Sequence, residues 1–312
     1  MYIKGLVISL KQIGEWLEIV IPSEWTPNTV FHFLSKELGV SKALIQKWNN
    51  ESAIKKNDSK ADVNHRLNVG DRLFLHIFKN EDFGVIPEYR PIDVLYEDDH
   101  LLIVNKEAGI DTHPNDLEQK GTLANHIAFY YQMNGLQIKI RHIHRLDKDT
   151  SGAIIFAKHD LAHSLLDQAL ELRNIKRTYI AIVVGKLPHL KGEINQPIGR
   201  DRHHATRRRV SPKGQKALTH YRVEQYLPAN NLSIVSLQLD TGRTHQIRVH
   251  LSSIGYPIIG DALYGGKKGI ISRQALHAAK VSLLHPLSGE EINVEAELPM
   301  DMLPLVTEVK HY

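Results

Sequence analysis

Two stretches of the chain carry side chains able to do chemistry together. The first, HRLDKDTSG at 144–152, crowds four charged residues into six positions and then runs into the apolar segment AIIFA at 153–157. The second, LDTGRTHQIRVHL at 239–251, sets Arg243 beside Thr-Gly just before an expected helix start. Asp147, a carboxylate ending a loop at the edge of a core, is a candidate nucleophile. Arg243 is expected at a helix N-terminus, where free backbone N–H groups attract a carboxylate or a phosphate. Brought together by the fold, Arg243 would hold Asp147 through a charge-assisted bond. Spacing along the chain does not itself bring them together. The ordinary alternative is a solvated turn whose charges neutralise one another, because neighbouring surface ion pairs contribute little.

Other residue types narrow the chemistry. The chain has no cysteine, which excludes thiolate nucleophiles, disulfides and cysteine-based zinc sites. His142, His144, His245 and His250 invite a metal reading, but no carboxylate pair or HExxH helix accompanies them, so no metal is expected. A glycoside hydrolase also uses an aspartate nucleophile, yet it needs a second carboxyl as acid. Asp149 is the only close candidate, and two residues along a loop is no evidence for that role. Charge placement points elsewhere. Residues 200–216 hold seven Lys and Arg against one acid, in a chain whose net charge is +4. Arg200, Arg202, Arg207, Arg208, Arg209 and Lys213 are therefore expected in an exposed loop that meets a polyanion, most commonly nucleic acid.

These residues need elements to position them. At 312 residues, with 42% hydrophobic and 24% charged content, the chain has room for one large core or two domains. No apolar stretch approaches the roughly 20 residues that cross a bilayer. The start, MYIKGLVISLKQIGEW, lacks the pattern of a secretory signal, so a cytoplasmic protein is expected. Residues 1–80 read as a separate module. Val30, Phe33, Leu34 and Leu38 fall at helical spacing, a second helix follows Ser41, and Leu73, Leu75 and Ile77 alternate as in a strand. The polar stretch at 49–62 reads as turn or loop, and 81–91 as a linker.

From 92 to 312 strands alternate with helices. A hairpin is expected over 92–106, and Thr122 caps a helix carrying Leu123, Ile127 and Tyr130. Strands at AIIFAK and TYIAIVVG flank a helix from near Asp160, and a second hairpin spans 217–240. A helix over 244–254 ends at Gly255, and a last strand lies at NVEAELP. The fold class is α+β, with a mixed, largely antiparallel central sheet, flanking helices and a small N-terminal module.

The motifs resemble those of the RluA-type pseudouridine synthases, which isomerise uridine in ribosomal or transfer RNA. HRLDKDTSG is similar to their catalytic motif, KRTYIAIVVG to the next and LDTGRTHQIRVHLSSIGYPIIGD to the third. YEDDHLLIVNKEAGIDTHP resembles the opening hairpin and LHAAKVSLLHP the closing segment, so the likeness covers roughly 90–300. Glu107 stands where the family usually has proline, and GIDTHP replaces a more apolar run. The first 80 residues resemble a degenerate S4 RNA-binding domain. The resemblance implies that Asp147 is the catalytic aspartate, that Tyr179 stacks on the flipped base, and that Arg243 holds Asp147. It implies an RNA partner gripped through the basic segment and Arg145, and neither cofactor nor metal. A monomer is expected. An RNA-binding protein with a dead site is the rival reading, and retention of aspartate, tyrosine and arginine argues against it.

Overall fold

The computed structural model describes residues 2–307 except residues 4, 5, 8, 26, 117, 268 and 270. Its N-terminal part is a five-stranded antiparallel sheet with helices on one side. Its elements include β1 (Ser9–Ile13), β2 (Trp16–Val20), a short helix at Val30–His32 that continues as a π-helix over Phe33–Glu37, α1 (Lys42–Asn50), β3 (Ile54–Lys56), β4 (Ser59–Lys60) and β5 (Arg72–His76), with strand order β1-β2-β5-β3-β4. Ser41 caps α1 by accepting the Leu44 N–H, and Ile45 and Trp48, three residues apart, turn inward together. The stretch at 49–62 differs from its loop reading, because β3 and β4 form a hairpin there. Asn57 takes the left-handed turn conformation at φ 53°, which asparagine tolerates, and its Oδ1 accepts the Arg72 N–H. Only Ile54 of these two strands is buried, so the alternation that marks a strand is missing from the sequence.

The larger part contains β6 (Asp93–Glu97), β7 (Leu101–Lys106), α2 (Leu123–Met133), β8 (Arg141–His142), β9 (Ser151–Ala157), α3 (Asp160–Glu171), β10 (Lys176–Val184) and β11 (Lys191–Asn195). It continues with β12 (Ile198–Arg200), β13 (Arg208–Val210), β14 (Leu218–Leu227), β15 (Leu232–Leu239), α4 (Gln246–Ser253), β16 (Leu276–Leu284) and β17 (Glu291–Glu295). A ten-stranded sheet runs β6-β7-β9-β16-β10-β15-β14-β11, with β8 added to β9 and β17 to β16. The expected α+β class with a mixed, mainly antiparallel sheet is what forms. β9 is buried along its whole length, with Ile154 and Phe156 in one core and Ala153, Ile155 and Ala157 in the other. Thr122 and Asn125 close a reciprocal capping box at the start of α2. The helix predicted over 244–254 is α4, and Gly255 follows it at φ 87°.

Two segments differ from their sequence reading. Residues 81–91 form no regular element, yet they are strapped down. Glu81 N–H donates to Gln137, Phe83 accepts from Ile140, and the Asn125 amide donates to Ile86 O. The basic segment keeps an exposed loop at 201–207, but its ends are drawn together by a short two-stranded ribbon, in which β12 pairs β13 with Arg200 opposite Arg208. Each of these strands is three residues long, too short to show an alternation, so an arginine run hides the pairing.

Within the ten-stranded sheet the β9–β16 pair is parallel, at Ser151↔His277 and Gly152↔Ala278. There the strand that carries the end of HRLDKDTSG meets β16 so closely that a Cβ on Gly152 would lie 2.3 Å from the Ala278 carbonyl oxygen, at φ 115°. Only glycine permits both. Gly152→Ala is expected to cost roughly 2–4 kcal/mol from backbone strain and overpacking, read as a lower denaturation midpoint at unchanged slope.

Candidate active site

The loop that presents Asp147 is fixed by backbone anchors from three directions. Thr112 Oγ1 donates to Leu146 O (3.0 Å) and accepts the Leu146 N–H (3.2 Å). Lys106, fully buried at the end of β7, donates to the carbonyls of Glu107 and Ile110 (each 2.8 Å) and of Lys148 (2.9 Å). Burial pushes its pKa down to about 8, while the Asp149 and Asp147 carboxylates pull it back up. Arg273 donates to Asp149 O (3.0 Å) and clamps Asp301 through two bonds of 2.7 and 2.8 Å. The Asp147 carbonyl accepts the Thr150 N–H, closing the turn before β9.

The guanidinium that meets Asp147 belongs to Arg248, not Arg243. Arg248 Nη1 lies 3.0 Å from Asp147 Oδ2. Its Nε and Nη2 bond Asp261 Oδ2 and Oδ1 at 2.7 and 2.9 Å, a fork-to-fork pair in which Asp261 is 1% exposed. Burial alone would lower the Arg248 pKa, but its bonds and attraction to Asp261 and then Asp147 outweigh that and raise it. Tyr264 lies 5.0 Å from the guanidinium carbon, ring centroid to atom. Arg243 sits three residues ahead of α4 with its N–H on Gln246 Oε1 and its Nε on Lys216 O. The expected corner is there, but the chain enters α4 before it reaches Asp147.

The ion pair lines a cleft of about 1260 Å³. Tyr179, on β10, forms part of its wall and is 4% exposed. Burial raises the pKa of its phenol, with Arg177 opposing, so the hydroxyl is neutral at physiological pH. His245 Nε2 stands 3.9 Å from Asp147 Oδ2, and its Nδ1 is 2.9 Å from Tyr264 Oη. His113 and His142 stack with ring centroids 4.8 Å apart on another stretch of wall, and burial brings the His142 pKa down to about 4. Arg145 is exposed on the rim. Of the ribbon residues, Arg208 lines the cleft and is half-buried. Arg200, Arg202, Arg207, Arg209 and Lys213 are exposed outside it.

Sequence reading missed Arg248, Asp261, Lys106 and Thr112. For Arg248 a signal existed: it lies between Ile247 and Leu251 in a helix whose residues 246–251 are all buried. A charge on such a turn must find a partner, because an unpaired buried charge is very costly. Nothing local marks Asp261, whose role depends on a contact 13 residues away.

A family model described as RNA pseudouridylate synthase matches residues 100–253, and one described as the RluD ribosomal pseudouridine synthase N-terminal domain matches residues 17–73. The chain belongs to the RNA pseudouridine synthases, isomerases that act on RNA. It is 53% identical over 293 residues to the uncharacterized RNA pseudouridine synthase YhcT of Bacillus subtilis, covering 94% of this chain and 97% of that one. It is 35% identical to ribosomal large subunit pseudouridine synthase D of Yersinia pestis, over 86% of this chain and 87% of that one. The solved human RNA pseudouridylate synthase domain containing 1 superposes with a TM-score of 0.54 at 27% identity, over 68% of this chain and 85% of that one.

Two measurements check this geometry. Lys106→Met removes the buried ammonium that ties three carbonyls together, and a loss of roughly 2–4 kcal/mol in unfolding free energy is expected. Arg248→Lys keeps the charge but cannot bridge Asp261 and Asp147 together, so turnover should fall by about 100-fold or more. A lysine variant with wild-type turnover would show that the fork is not needed.

Proposed function

We propose that this chain converts uridine in ribosomal RNA to pseudouridine, with Asp147 as the catalytic group and no cofactor. The observation that carries the reading is the Asp147 carboxylate at the wall of a large cleft, 3.0 Å from an arginine that Asp261 already holds. The relatives' printed names supply the RNA class, since several are ribosomal large subunit enzymes.

The reaction breaks the N1–C1′ bond, turns the uracil, joins C5 to C1′, and moves one proton net from C5 to N1. No atom is gained or lost, so the chemistry calls for no cosubstrate. An ionised carboxylate serves it either by attacking C1′ or by taking a proton at C2′. Arg248 would orient that carboxylate and balance its charge without leaving Asp261. Tyr179, a neutral buried aromatic, would cover one face of the uracil after the nucleotide has left its stack. Arg145 at the rim and the ribbon residues would contact RNA phosphates. Residues 1–80 would add an S4-like RNA-binding module, joined by 81–91 to the catalytic part at 92–312 and acting as a cytoplasmic monomer.

Asp147→Asn is isosteric but can be neither nucleophile nor base. Tritium release from RNA labelled at C5 of uridine is expected to drop by about four orders of magnitude or more. Activity within about tenfold of wild type would falsify the assignment. For the ribbon, Arg202, Arg207 and Arg209 changed together to Ala should weaken RNA binding. The slope of log K against log salt should flatten by about 0.7 per lost contact on single-stranded RNA. An unchanged slope would mean that the ribbon is merely solvated.

A further inference from the structure

Beside the cleft lies a second cavity of about 350 Å³, and its walls are cationic. Arg200, Arg208, Lys213 and Arg243 line it, with Thr244 and the backbone of Gly214, and among the described residues no carboxylate does. Arg208, Arg243 and Thr244 also line the cleft that holds Asp147, so the two spaces share a wall. Four like charges around one small space repel each other unless an anion joins them. The one acid of the segment, Asp201, faces Arg207 instead, at 3.7 Å. Arg208 Nε is shielded from solvent and has no hydrogen-bond acceptor among the described residues.

The cavity is built rather than incidental. Ile198 and Gln215 exchange both backbone hydrogen bonds at 2.9 Å, which closes the base of the ribbon. A Cβ on Gly214 would lie 2.4 Å from the Ile198 carbonyl carbon, so the backbone at Gly214 packs against β12 as closely as a backbone can. Arg243 is tied through its Nε to Lys216 O, at 3.2 Å. The cations are thus carried on a backbone that is already in place.

We propose that this pocket binds one phosphodiester group of the RNA, the linkage next to the uridine that enters the cleft. The proposal rests on the isomerase reading above and adds a subsite to it. Planar guanidinium forks suit phosphate oxygens, and two of the arginines stand on the wall shared with the cleft. A nucleotide in the cleft and a phosphate in the pocket are therefore neighbours on one strand. Unstacking the target nucleotide costs a few kcal/mol, and a phosphate held one linkage away offsets part of it while fixing the sugar against Asp147. Arg243 is then a positioning residue, not the partner of the carboxylate.

The test uses the full-length protein and two dinucleotides, UpU and its uncharged methylphosphonate analogue, with binding followed by NMR titration. Wild type should prefer UpU by about tenfold or more, the worth of a charge-assisted contact. In Lys213→Ala/Arg243→Gln the preference should collapse towards one, and Lys213→Arg/Arg243→Lys should restore most of it. Both positions are exposed, so the core is left intact. No preference in wild type, or the same preference in the Ala/Gln variant, overturns the pocket. Dinucleotide binding needs no turnover. Wild type that discriminates between the two ligands but releases no tritium from C5-labelled RNA would therefore defeat the isomerase reading while the subsite stands.

Discussion

Asp261, Arg248 and Asp147 form a chain of two ion pairs through one guanidinium, and the rest of the larger part is arranged around it. Asp261 takes two of the arginine's nitrogens and is itself buried, which leaves Nη1 with a fixed direction. Asp147 sits at the end of that direction. The two-point bond to Asp261 fixes the guanidinium plane, and the desolvation of the arginine is offset only while both carboxylates remain.

Each end of the chain needs its own support. Helix α4 supplies Arg248 from a turn buried on all sides, which requires Gln246 to satisfy the start of the helix with Thr241, Arg243 and Leu218. The Asp147 loop is carried by Thr112, Lys106 and Arg273, which bond its backbone and leave its carboxylate for the cleft. The parallel β9–β16 pairing then places the loop between β7 and β16, with Gly152 permitting the contact.

How much of this is legible in the sequence depends on whether the determining contacts are local. The β6–β7 hairpin, the capped helices and the fully apolar β9 follow from periodicity and capping residues. Asp147 stands out because charges stop abruptly where a buried strand starts. The arginine partner is ambiguous in the sequence because Arg243 and Arg248, five residues apart, share one motif, and only the burial of the turn that follows the helix start separates them. The β12–β13 pairing at the base of the basic loop is hidden because strands of three residues leave no apolar pattern. Asp261 and Lys106 act through contacts that bring separate segments together, and no sequence spacing encodes those.

Helix α3 serves both halves of the molecule. Ala162 and Leu166 face the ten-stranded sheet, while Leu161 and Leu165 lie in the core of the N-terminal part, beside Trp48 and Leu287. Asp160 takes the Trp48 indole N–H and the Lys47 ammonium. An excised catalytic half would therefore present two bare leucines to water, next to a carboxylate stripped of its donors. Such a patch invites association between copies. Whatever the first 80 residues recognise, they also act as the cover that keeps the rest of the molecule from sticking to itself.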